Sequence, residues 1–368
     1  MAFTTVTGSN GVTSLVGTTG VDLATIVTLE SNTFVGGNTG NDNVALNLGT
    51  AGQNASNYEV RMGGGDDTFT LNNTLLSSFI EMDGLTAANA GADTFDGTGD
   101  LIINSEIRGM AGSDTFQNLA LNGSTVNGNA GDDRLTTGDS SASFVYGGQG
   151  TDTITVGAGT TASAMMLNGN RGSDDLIVGD QAAVNAAAAD TAFSGSIHGG
   201  NGNDTINAID TQVAGDLVTS TGIFISGDIG NDGITGTFGV DTINGGDGDD
   251  TIDAGSGADI IDGGAGDDDI TGGAGARNGD RVLFAGGVNT IQAVTNIDGT
   301  TTTSLGNALA GINFAAANDL ARVTITGAVS WSGNYLIHNA AGAAVFDVAA
   351  DDVVKVNTFT GAVANTFA

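Results

Sequence analysis

Large apolar residues recur every nine positions in residues 245–270, at Ile252, Ile261 and Ile270, and each follows an aspartate by two positions. The repeated unit reads Gly-Gly-x-Gly-x-Asp-x-U-x, where U is the large apolar residue. Glycine lets the backbone turn where a side chain would clash. Side chains of a strand point alternately to its two faces. The pattern therefore predicts short strands that point their U residues into a narrow core and are joined by glycine-rich turns carrying an aspartate.

The same pattern extends upstream at longer intervals. Between Asp42 and Asp232 the aspartates are 19 to 30 residues apart, whereas from Asp232 to Asp268 they are nine apart. The predicted column of U residues consists of Val44, Phe69, Phe95, Phe116, Leu135, Ile154, Leu176, Ile206, Ile234, Ile243, Ile252, Ile261 and Ile270. The upstream spacing predicts one motif in each turn of a solenoid, and its longest intervals predict excursions at 181–191 and 212–222.

Composition favours a solenoid over a conventional globular core. The chain of 368 residues has 62 glycines, no proline and no cysteine, and only 5% of its residues are aromatic. A solenoid needs one thin column of medium-sized side chains per turn, which this composition supplies. Collagen is excluded because there is no proline and no glycine triplet period.

The chain carries a formal net charge of −34, from 42 acidic and 8 basic residues. This charge argues against nucleic acid and anionic membranes as partners. It also opposes compaction unless cations neutralise it, and divalent cations are the expected ones. No segment has the roughly 20 apolar residues of a membrane span, and residues 1–17 lack the basic and apolar regions of a signal peptide. We expect a protein that is not membrane-spanning.

The run GGDGDDTIDAGSGADIIDGGAGDDDI resembles the calcium-binding repeat of the RTX (repeats-in-toxin, hemolysin-type) family. The resemblance implies an all-β fold, a parallel β-roll or β-solenoid with Ca²⁺ between stacked turns. One full turn of that roll is two nonapeptides, or about 18 residues. On that reckoning Asp232, Asp250 and Asp268 lie on one edge, and Asp241 and Asp259 lie on the opposite edge.

Calcium binds six to eight oxygen atoms in flexible geometry, which carboxylates and backbone carbonyls can supply. By the resemblance, each ion lies between two turns and receives an aspartate from each, so several Ca²⁺ ions are expected. The implied metal-binding residues are Asp42, Asp67, Asp133, Asp152, Asp174, Asp204, Asp232, Asp250, Asp259 and Asp268, with Gly147, Gly150, Gly199, Gly202, Gly245, Gly248, Gly263 and Gly266. The copies at Asp93, Asp114 and Asp241 lack the first glycine pair, and they are either cation sites or structural turns. A remnant of the motif stands at Asp22.

Three regions are expected: a strand-rich cap or assembly segment at 1–35, the solenoid at 36–277, and a small α+β unit at 278–368 with a helix over 304–321. Arg277 stands where the next aspartate would fall, and it is either an internal cation or a simple boundary. The ending NYLIHNAAGAAVFDVAADDVVKVNTFTGAVANTFA resembles the C-terminal secretion regions of RTX proteins, cyanobacterial ones among them. This resemblance implies export by a type I secretion apparatus and an extracellular or cell-surface location without an N-terminal signal peptide.

No enzyme is expected. The histidines, His198 and His338, have no second ligand at metal-binding spacing, and the Asp249–Asp250 pair is better explained by a calcium turn than by a glycosidase dyad. Because the solenoid fills most of the chain, we expect a structural protein that folds on calcium and assembles with itself in a surface layer, sheath or filament. The alternative is a calcium-dependent adhesin or matrix-binding module that acts as a monomer.

Overall fold

The computed structural model describes residues 4–7, 13–26, 33–47, 54–83, 90–97, 101–157, 160–179, 192–208, 222–255, 257–266 and 268–272, together with five short strands between 281 and 347. Every regular element among these residues is a β-strand, and they contain no α-helix. The chain divides into two compact units, residues 1–196 and 197–368. The all-β prediction is therefore confirmed for the described residues.

The strands of the first unit are β1 (Thr4–Thr7), β2 (Thr13–Val16), β3 (Leu23–Ile26), β4 (Phe34–Gly36), β5 (Asn43–Leu46), β6 (Asn54–Ser56), β7 (Glu59–Arg61), β8 (Thr68–Leu71), β9 (Thr74–Leu76), β10 (Phe79–Glu81), β11 (Thr94–Asp96), β12 (Leu101–Ile103), β13 (Glu106–Arg108), β14 (Thr115–Asn122), β15 (Thr125–Ala130), β16 (Arg134–Thr137), β17 (Ser140–Ser141), β18 (Phe144–Gln149), β19 (Thr153–Val156), β20 (Thr161–Arg171) and β21 (Asp175–Val178). Strand β22 (Ala192–Asn201) spans the division between the units. The strands that follow are β23 (Thr205–Asn207), β24 (Phe224–Ile229), β25 (Gly233–Thr235), β26 (Thr242–Asp247), β27 (Thr251–Asp253), β28 (Ile260–Ala265), β29 (Asp269–Thr271), β30 (Arg281–Phe284), β31 (Thr290–Gln292), β32 (Asn296–Gly299), β33 (Arg322–Ile325) and β34 (Phe346–Asp347).

In the first unit the chain winds through three columns of parallel strands. Column 1 pairs β3, β5, β8, β11, β14, β16, β19 and β21 in that order. Column 2 pairs β6, β9, β12, the end of β14, β17 and the start of β20. Column 3 pairs β2, β4, β7, β10, β13, β15, β18 and β20. The parallel solenoid is thus confirmed. Turns of the first unit exceed 18 residues because the chain passes through three columns of strands in each turn.

The described strands of the second unit form two columns. Paired residues of β25, β27 and β29 are 18 positions apart, so these turns are 18 residues long. One column pairs β23, β25, β27, β29 and β31, with Ile234 opposite Ile252 and Ile252 opposite Ile270. The other column pairs β24, β26, β28, β30, β32, β33 and β34. The nine-residue period in the sequence therefore reflects one strand for every nonapeptide.

In the first unit the predicted U residues form the core of column 1, and in the second unit Ile206, Ile234, Ile252 and Ile270 pair in the column of β25. The prediction of a single column is wrong for Ile243 and Ile261, which pair with each other in the other column of that unit. Val44, Phe69, Phe95 and Phe116 lie in consecutive register and are at most 1% exposed. The ring centroids of Phe69 and Phe95 are 5.4 Å apart, and those of Phe95 and Phe116 are 6.4 Å apart, with both pairs stacked. Parallel strands bring identical positions of successive turns together, so a repeated residue type becomes a continuous stack.

The corner between columns 2 and 3 is closed by a ladder of serine hydroxyl groups. The hydroxyl oxygen of Ser105 accepts the N–H of Ser78 at 3.1 Å, and that of Ser124 accepts the N–H of Ser105 at 3.1 Å. Each serine follows a residue with positive φ, for example Asn104 at 48° and Gly123 at 61°. This corner is satisfied by protein groups alone and offers no cluster of carboxylates to a cation.

Several predicted features lie outside the described residues: the helix over 304–321, the excursion at 181–191, all but the last residue of the excursion at 212–222, and Arg277. The C-terminal α+β unit is therefore not confirmed, although the five strands β30 to β34 fall within it. Near the N-terminus, β1 pairs antiparallel with β2, and β2 and β3 join columns 3 and 1. Strands of the solenoid columns thus also occur in the predicted cap or assembly segment.

Candidate calcium-binding edge

The aspartates of the repeat form a hydrogen-bonded ladder along the glycine-rich turns that lead into column 1. In each step the backbone N–H of one aspartate donates to Oδ1 of the aspartate in the next turn. In the first unit the ladder runs through Asp22, Asp42, Asp67, Asp93, Asp114, Asp133, Asp152 and Asp174, with N···O distances of 2.7 to 2.9 Å. Each of these side chains is buried. The turns are therefore linked through their carboxylates as well as through their strands.

The second unit contains two such ladders on opposite edges. On the edge leading into the column of β25, the backbone N–H of Asp204 donates to Asp232 at 2.7 Å, that of Asp232 to Asp250 at 2.8 Å, and that of Asp250 to Asp268 at 3.1 Å. On the other edge, the N–H of Asp241 donates to Oδ1 of Asp259 at 2.8 Å. The predicted assignment of these aspartates to two edges is confirmed.

The second oxygen of most ladder carboxylates is buried and accepts no hydrogen bond. This holds for Oδ2 of Asp42, Asp67, Asp93, Asp114, Asp133, Asp152, Asp232 and Asp250. A buried polar atom without a partner destabilises a fold by about 1–3 kcal/mol, and an ionised one by more. Eight such oxygens in one repeated position require a shared compensating ligand, and a cation is the natural one.

A glycine five residues before the aspartate leaves room in front of this oxygen. A Cβ placed on Gly147 would stand 2.4 Å from Oδ2 of Asp152, and one placed on Gly245 would stand 2.3 Å from Oδ2 of Asp250. The Cβ on Gly245 would also stand 2.3 Å from the carbonyl oxygen of Gly263 in the next turn. The first glycine of the motif thus preserves a small space that is lined by a carboxylate oxygen and a carbonyl oxygen.

This cradle recurs at predicted positions and at others. Gly199 and Gly263, two of the glycines implied to bind metal, stand in it, with their Cβ positions 2.4 and 2.3 Å from Oδ2 of Asp204 and Asp268. The sequence prediction missed the equivalent Gly37, Gly109, Gly128 and Gly227, whose Cβ positions lie 2.0 to 2.4 Å from the following Oδ2. The spacing of five residues before each ladder aspartate would have identified them.

The other predicted glycines serve the close approach of successive turns. Gly150, Gly202, Gly248 and Gly266 have φ values of 135°, 138°, 137° and 148°, which residues with a side chain rarely adopt. A Cβ on Gly248 would lie 2.0 Å from the carbonyl oxygen of Gly230 in the preceding turn. These glycines therefore allow the glycine-rich turns to stack with their backbone oxygens close together.

Burial raises the pKa of the ladder carboxyls well above the ordinary value for aspartate. Loss of solvation is the largest cause, and it brings the pKa of Asp67 to about 7, of Asp93 to about 9 and of Asp133 to about 8. The carboxylates of neighbouring turns raise these values further, while the ladder hydrogen bonds oppose the rise. The metal-free edge therefore favours protons at the positions where a cation would otherwise neutralise the charge.

The donor set fits calcium. Within the described part of the chain, no three histidine, cysteine, aspartate or glutamate side chains converge on one point. A cation on this edge would therefore combine carboxylate oxygens with several backbone carbonyl oxygens. Such hard oxygen donors in a flexible turn suit Ca²⁺, whereas zinc prefers nitrogen and sulfur ligands and magnesium prefers a strict octahedron.

The fold and this edge define a class: a parallel β-solenoid whose turns present buried carboxylates to cations. The RTX calcium-binding nonapeptide repeat matches four segments of the chain, residues 127–160, 192–208, 226–261 and 244–277. These four segments are therefore RTX calcium-binding nonapeptide repeats, as the sequence predicts. No curated protein matches the chain.

His198 and the Asp249–Asp250 pair contact neighbouring protein groups. Nδ1 of His198 lies 3.6 Å from Oδ2 of Asp228, and its ring centroid lies 5.5 Å from that of Phe224. Asp250 belongs to the ladder, whereas its exposed neighbour Asp249 donates its backbone N–H to Asn231 at 3.0 Å. Among the residues that the structure describes, no helix is long and apolar enough to cross a membrane. The RTX solenoid is a calcium-binding structural fold, and nothing in this arrangement points to catalysis.

Proposed function

We propose that this chain is a secreted calcium-binding structural protein that folds outside the cell when several Ca²⁺ ions bind between its turns. The observation that carries the proposal is the row of buried Oδ2 atoms, of which six of the eight named above face a glycine cradle. Calcium would be held by ladder aspartates such as Asp133, Asp152, Asp232 and Asp250, and by carbonyl oxygens of the turns. Its chemical contribution is to neutralise carboxylates that would otherwise repel each other along the ladder.

Folding and binding are coupled in this proposal. Without a cation, buried carboxylates and the high entropy of a glycine-rich chain oppose the fold. Extracellular calcium modules have dissociation constants of about 10⁻⁴–10⁻³ M, so the chain would be disordered in a low-calcium cytosol and ordered outside. Far-UV circular dichroism in 10 mM calcium and then in excess chelator tests this. A spectrum that does not change would refute it.

Two glycines, Gly245 and Gly233, provide a test variant and its matched control for the cation position. Gly245→Ala places a methyl group in the cradle of Asp250, whereas Gly233→Ala places one where the nearest heavy atom is 3.9 Å away. Neither glycine has a positive φ, so backbone strain does not separate the two. Gly245→Ala should raise the calcium concentration needed for half folding, and Gly233→Ala should leave it unchanged. Equal shifts in both variants would remove the support for a cation in the cradle.

We propose further that the folded protein assembles with itself as a surface-layer, sheath or filament subunit, with residues 1–35 as the assembly segment. Val21 and Leu23 support this, because they are 57% and 68% exposed near one end of column 1. Exposed apolar side chains beside strand edges favour association with another chain. Electron microscopy after calcium addition should reveal ordered fibres or sheets. A chain lacking residues 1–35 should still fold on calcium without assembling.

The second candidate is a calcium-dependent adhesin or matrix-binding module. The same exposed apolar residues would then contact a different macromolecule, and light scattering would detect only monomers in calcium.

Residues 278–368 are proposed to be the region recognised by a type I exporter, since RTX-repeat proteins are typically secreted without a signal peptide. A chain truncated at 277 should remain inside cells that export the full chain. Export of the truncated chain would contradict that assignment.

A further inference from the structure

Two aspartate turns share a variant sequence that differs from the other motif turns. Residues 17–22 read GTTGVD and residues 236–241 read GTFGVD, so each has threonine after its first glycine and valine before its aspartate. In motif turns such as 245–250 the residue after the first glycine has positive φ, 121° at Gly246. Thr18 and Thr237 do not have a positive φ. The variant sequence therefore gives a different local backbone.

Thr237 satisfies the oxygen of Asp241 that other turns leave without a partner. The Thr237 N–H donates to Oδ2 of Asp241 at 2.7 Å, and the Thr237 hydroxyl lies 2.9 Å from both carboxylate oxygens. Oδ1 of Asp241 also accepts the N–H of Ile223 at 2.9 Å. The carboxylate is fully buried and Thr237 is 6% exposed. By contrast, Oδ2 of Asp232 and Asp250 accepts no hydrogen bond.

Thr18 has the same relation to Asp22 in the first unit. Both its backbone N–H and its hydroxyl donate to Oδ2 of Asp22, the hydroxyl at 2.9 Å. The valines of the two variant turns are also alike, with Val21 57% and Val240 58% exposed. Because the second example arises in a different part of the chain with the same contacts, the arrangement is a property of the GTxGVD sequence.

We propose that Thr18 and Thr237 close their turns in place of a cation, so that the turns at Asp22 and Asp241 fold without calcium and bind none. A cation approaching Oδ2 of Asp241 would meet the hydrogens of an N–H and a hydroxyl, which repel it. The inference rests on the proposed function, because it distinguishes cation-binding turns from cation-free ones.

The test counts bound calcium in the full chain by equilibrium dialysis at saturating calcium. Asp241→Asn should bind the same number of ions as the unaltered chain, whereas Asp250→Asn should bind one fewer. Asparagine keeps the shape of each side chain and an oxygen for the ladder. Thr237→Gly removes the threonine hydroxyl that caps the carboxylate. Glycine at 237 can also adopt the left-handed backbone of Gly255, the equivalent residue of the next turn, whose φ is 87°. This variant should bind one additional ion.

Loss of one ion in Asp241→Asn would overturn the inference. If Asp241→Asn does not fold in calcium, Thr237→Gly decides the matter, because an unchanged ion count there also overturns it. Thr237→Val separates the cap from packing: it should keep the ion count and unfold at a lower urea concentration. Failure of the proposed function gives a different result, since the unaltered chain would then bind no calcium and Asp250→Asn would change nothing.

Discussion

Replacing Asp250 by asparagine should stabilise the metal-free fold and destabilise the calcium-bound one. Oδ1 of Asp250 accepts the N–H of Asp232 at 2.8 Å, and an asparagine Oδ1 can accept the same bond. The change falls on Oδ2, which is buried without a partner and becomes an NH₂ group that cannot bind a cation. The variant therefore removes one ligand and one buried charge while it keeps the ladder.

The two effects have opposite signs at pH 8. Burial raises the pKa of Asp250 from 3.8 to about 6, so at pH 8 the carboxylate is ionised in both states and its charge opposes the metal-free fold. Removing that charge should favour folding in chelator. In 10 mM calcium, a site with a dissociation constant of about 1 mM contributes about 1.4 kcal/mol, and one of about 0.1 mM contributes about 2.7 kcal/mol. In calcium the variant should lose that contribution, less the stability that it gains from removal of the buried charge.

Urea denaturation followed by far-UV circular dichroism measures the calcium-bound stability. In chelator, the concentration of a stabilising osmolyte needed for half folding measures the metal-free stability. Asp250→Asn should need more calcium but less osmolyte than the unaltered chain. The exposed Asp249→Asn is the control, with changes within about 0.5 kcal/mol in both conditions. Equal destabilisation of Asp250→Asn in calcium and in chelator would show that the carboxylate serves packing and would refute the reasoning.

Three further predictions concern the pH and the two kinds of corner. Burial raises the pKa of Asp93 to about 9, so its carboxyl in the folded chain keeps a proton that the unfolded chain releases above pH 3.8. The metal-free fold should therefore lose stability between about pH 4 and 9. Circular dichroism in chelator should show more ordered structure at pH 5 than at pH 8. Ala142 has φ of 48°, so Ala142→Gly should raise the stability in calcium by about 0.5–1 kcal/mol, whereas Ala130→Gly, at ordinary φ, should lower it. Ser124→Ala leaves the buried N–H of Ser105 without its 3.1 Å acceptor and should lose about 1–3 kcal/mol in urea denaturation at every calcium concentration that folds the chain. A calcium-dependent loss would contradict the ion-free assignment of that corner.

The column of U residues and the two edges of the second unit could be predicted from sequence because both depend only on periodicity. Residues 18 apart must fall at equivalent positions of successive turns, and Ile234, Ile252 and Ile270 do so. The hydrogen bond from Asp241 to Asp259 confirms the second edge for the same reason. Longer upstream spacings gave no such constraint, because an insertion can extend a strand, a turn or a corner without altering the motif.

Column 2 of the first unit shows what the periodicity could not reveal. Residues such as Leu75 and Ile102 pair in register and are fully buried, yet their segments are only three residues long and have no fixed distance to the motif. The serine corner was likewise hidden, because a serine after asparagine or glycine is typical of any turn. Its role depends on a hydroxyl reaching the N–H of the preceding turn, which only the stacked structure supplies.

The weak motif copies were ambiguous because sequence shows which residues are present and not which atoms they satisfy. Asp93 and Asp114 lack the glycine pair, yet their Oδ2 atoms are buried without partners like that of Asp250. Asp241 resembles them in sequence, but Thr237 supplies the missing donors. The deciding feature is therefore the residue after the first glycine, where a threonine can hydrogen-bond to the carboxylate.

The ladder divides each aspartate between two tasks, and this division explains how binding can spread along the solenoid. Oδ1 is fixed by the N–H of the preceding turn, as in the 2.8 Å contact between Asp133 and Asp152. Oδ2 is thereby aimed at the cradle before any ion arrives. A turn that has not yet stacked has no such orientation, so a lone motif presents a loosely held carboxylate and only its own carbonyls. Each stacked turn completes a site for its neighbour, and each ion stabilises the pair that formed it. Stability in such arrays is a sum of turn and interface contributions. Because the ion and the ladder hydrogen bond both act at the interface, calcium strengthens the coupling between turns more than the turns themselves.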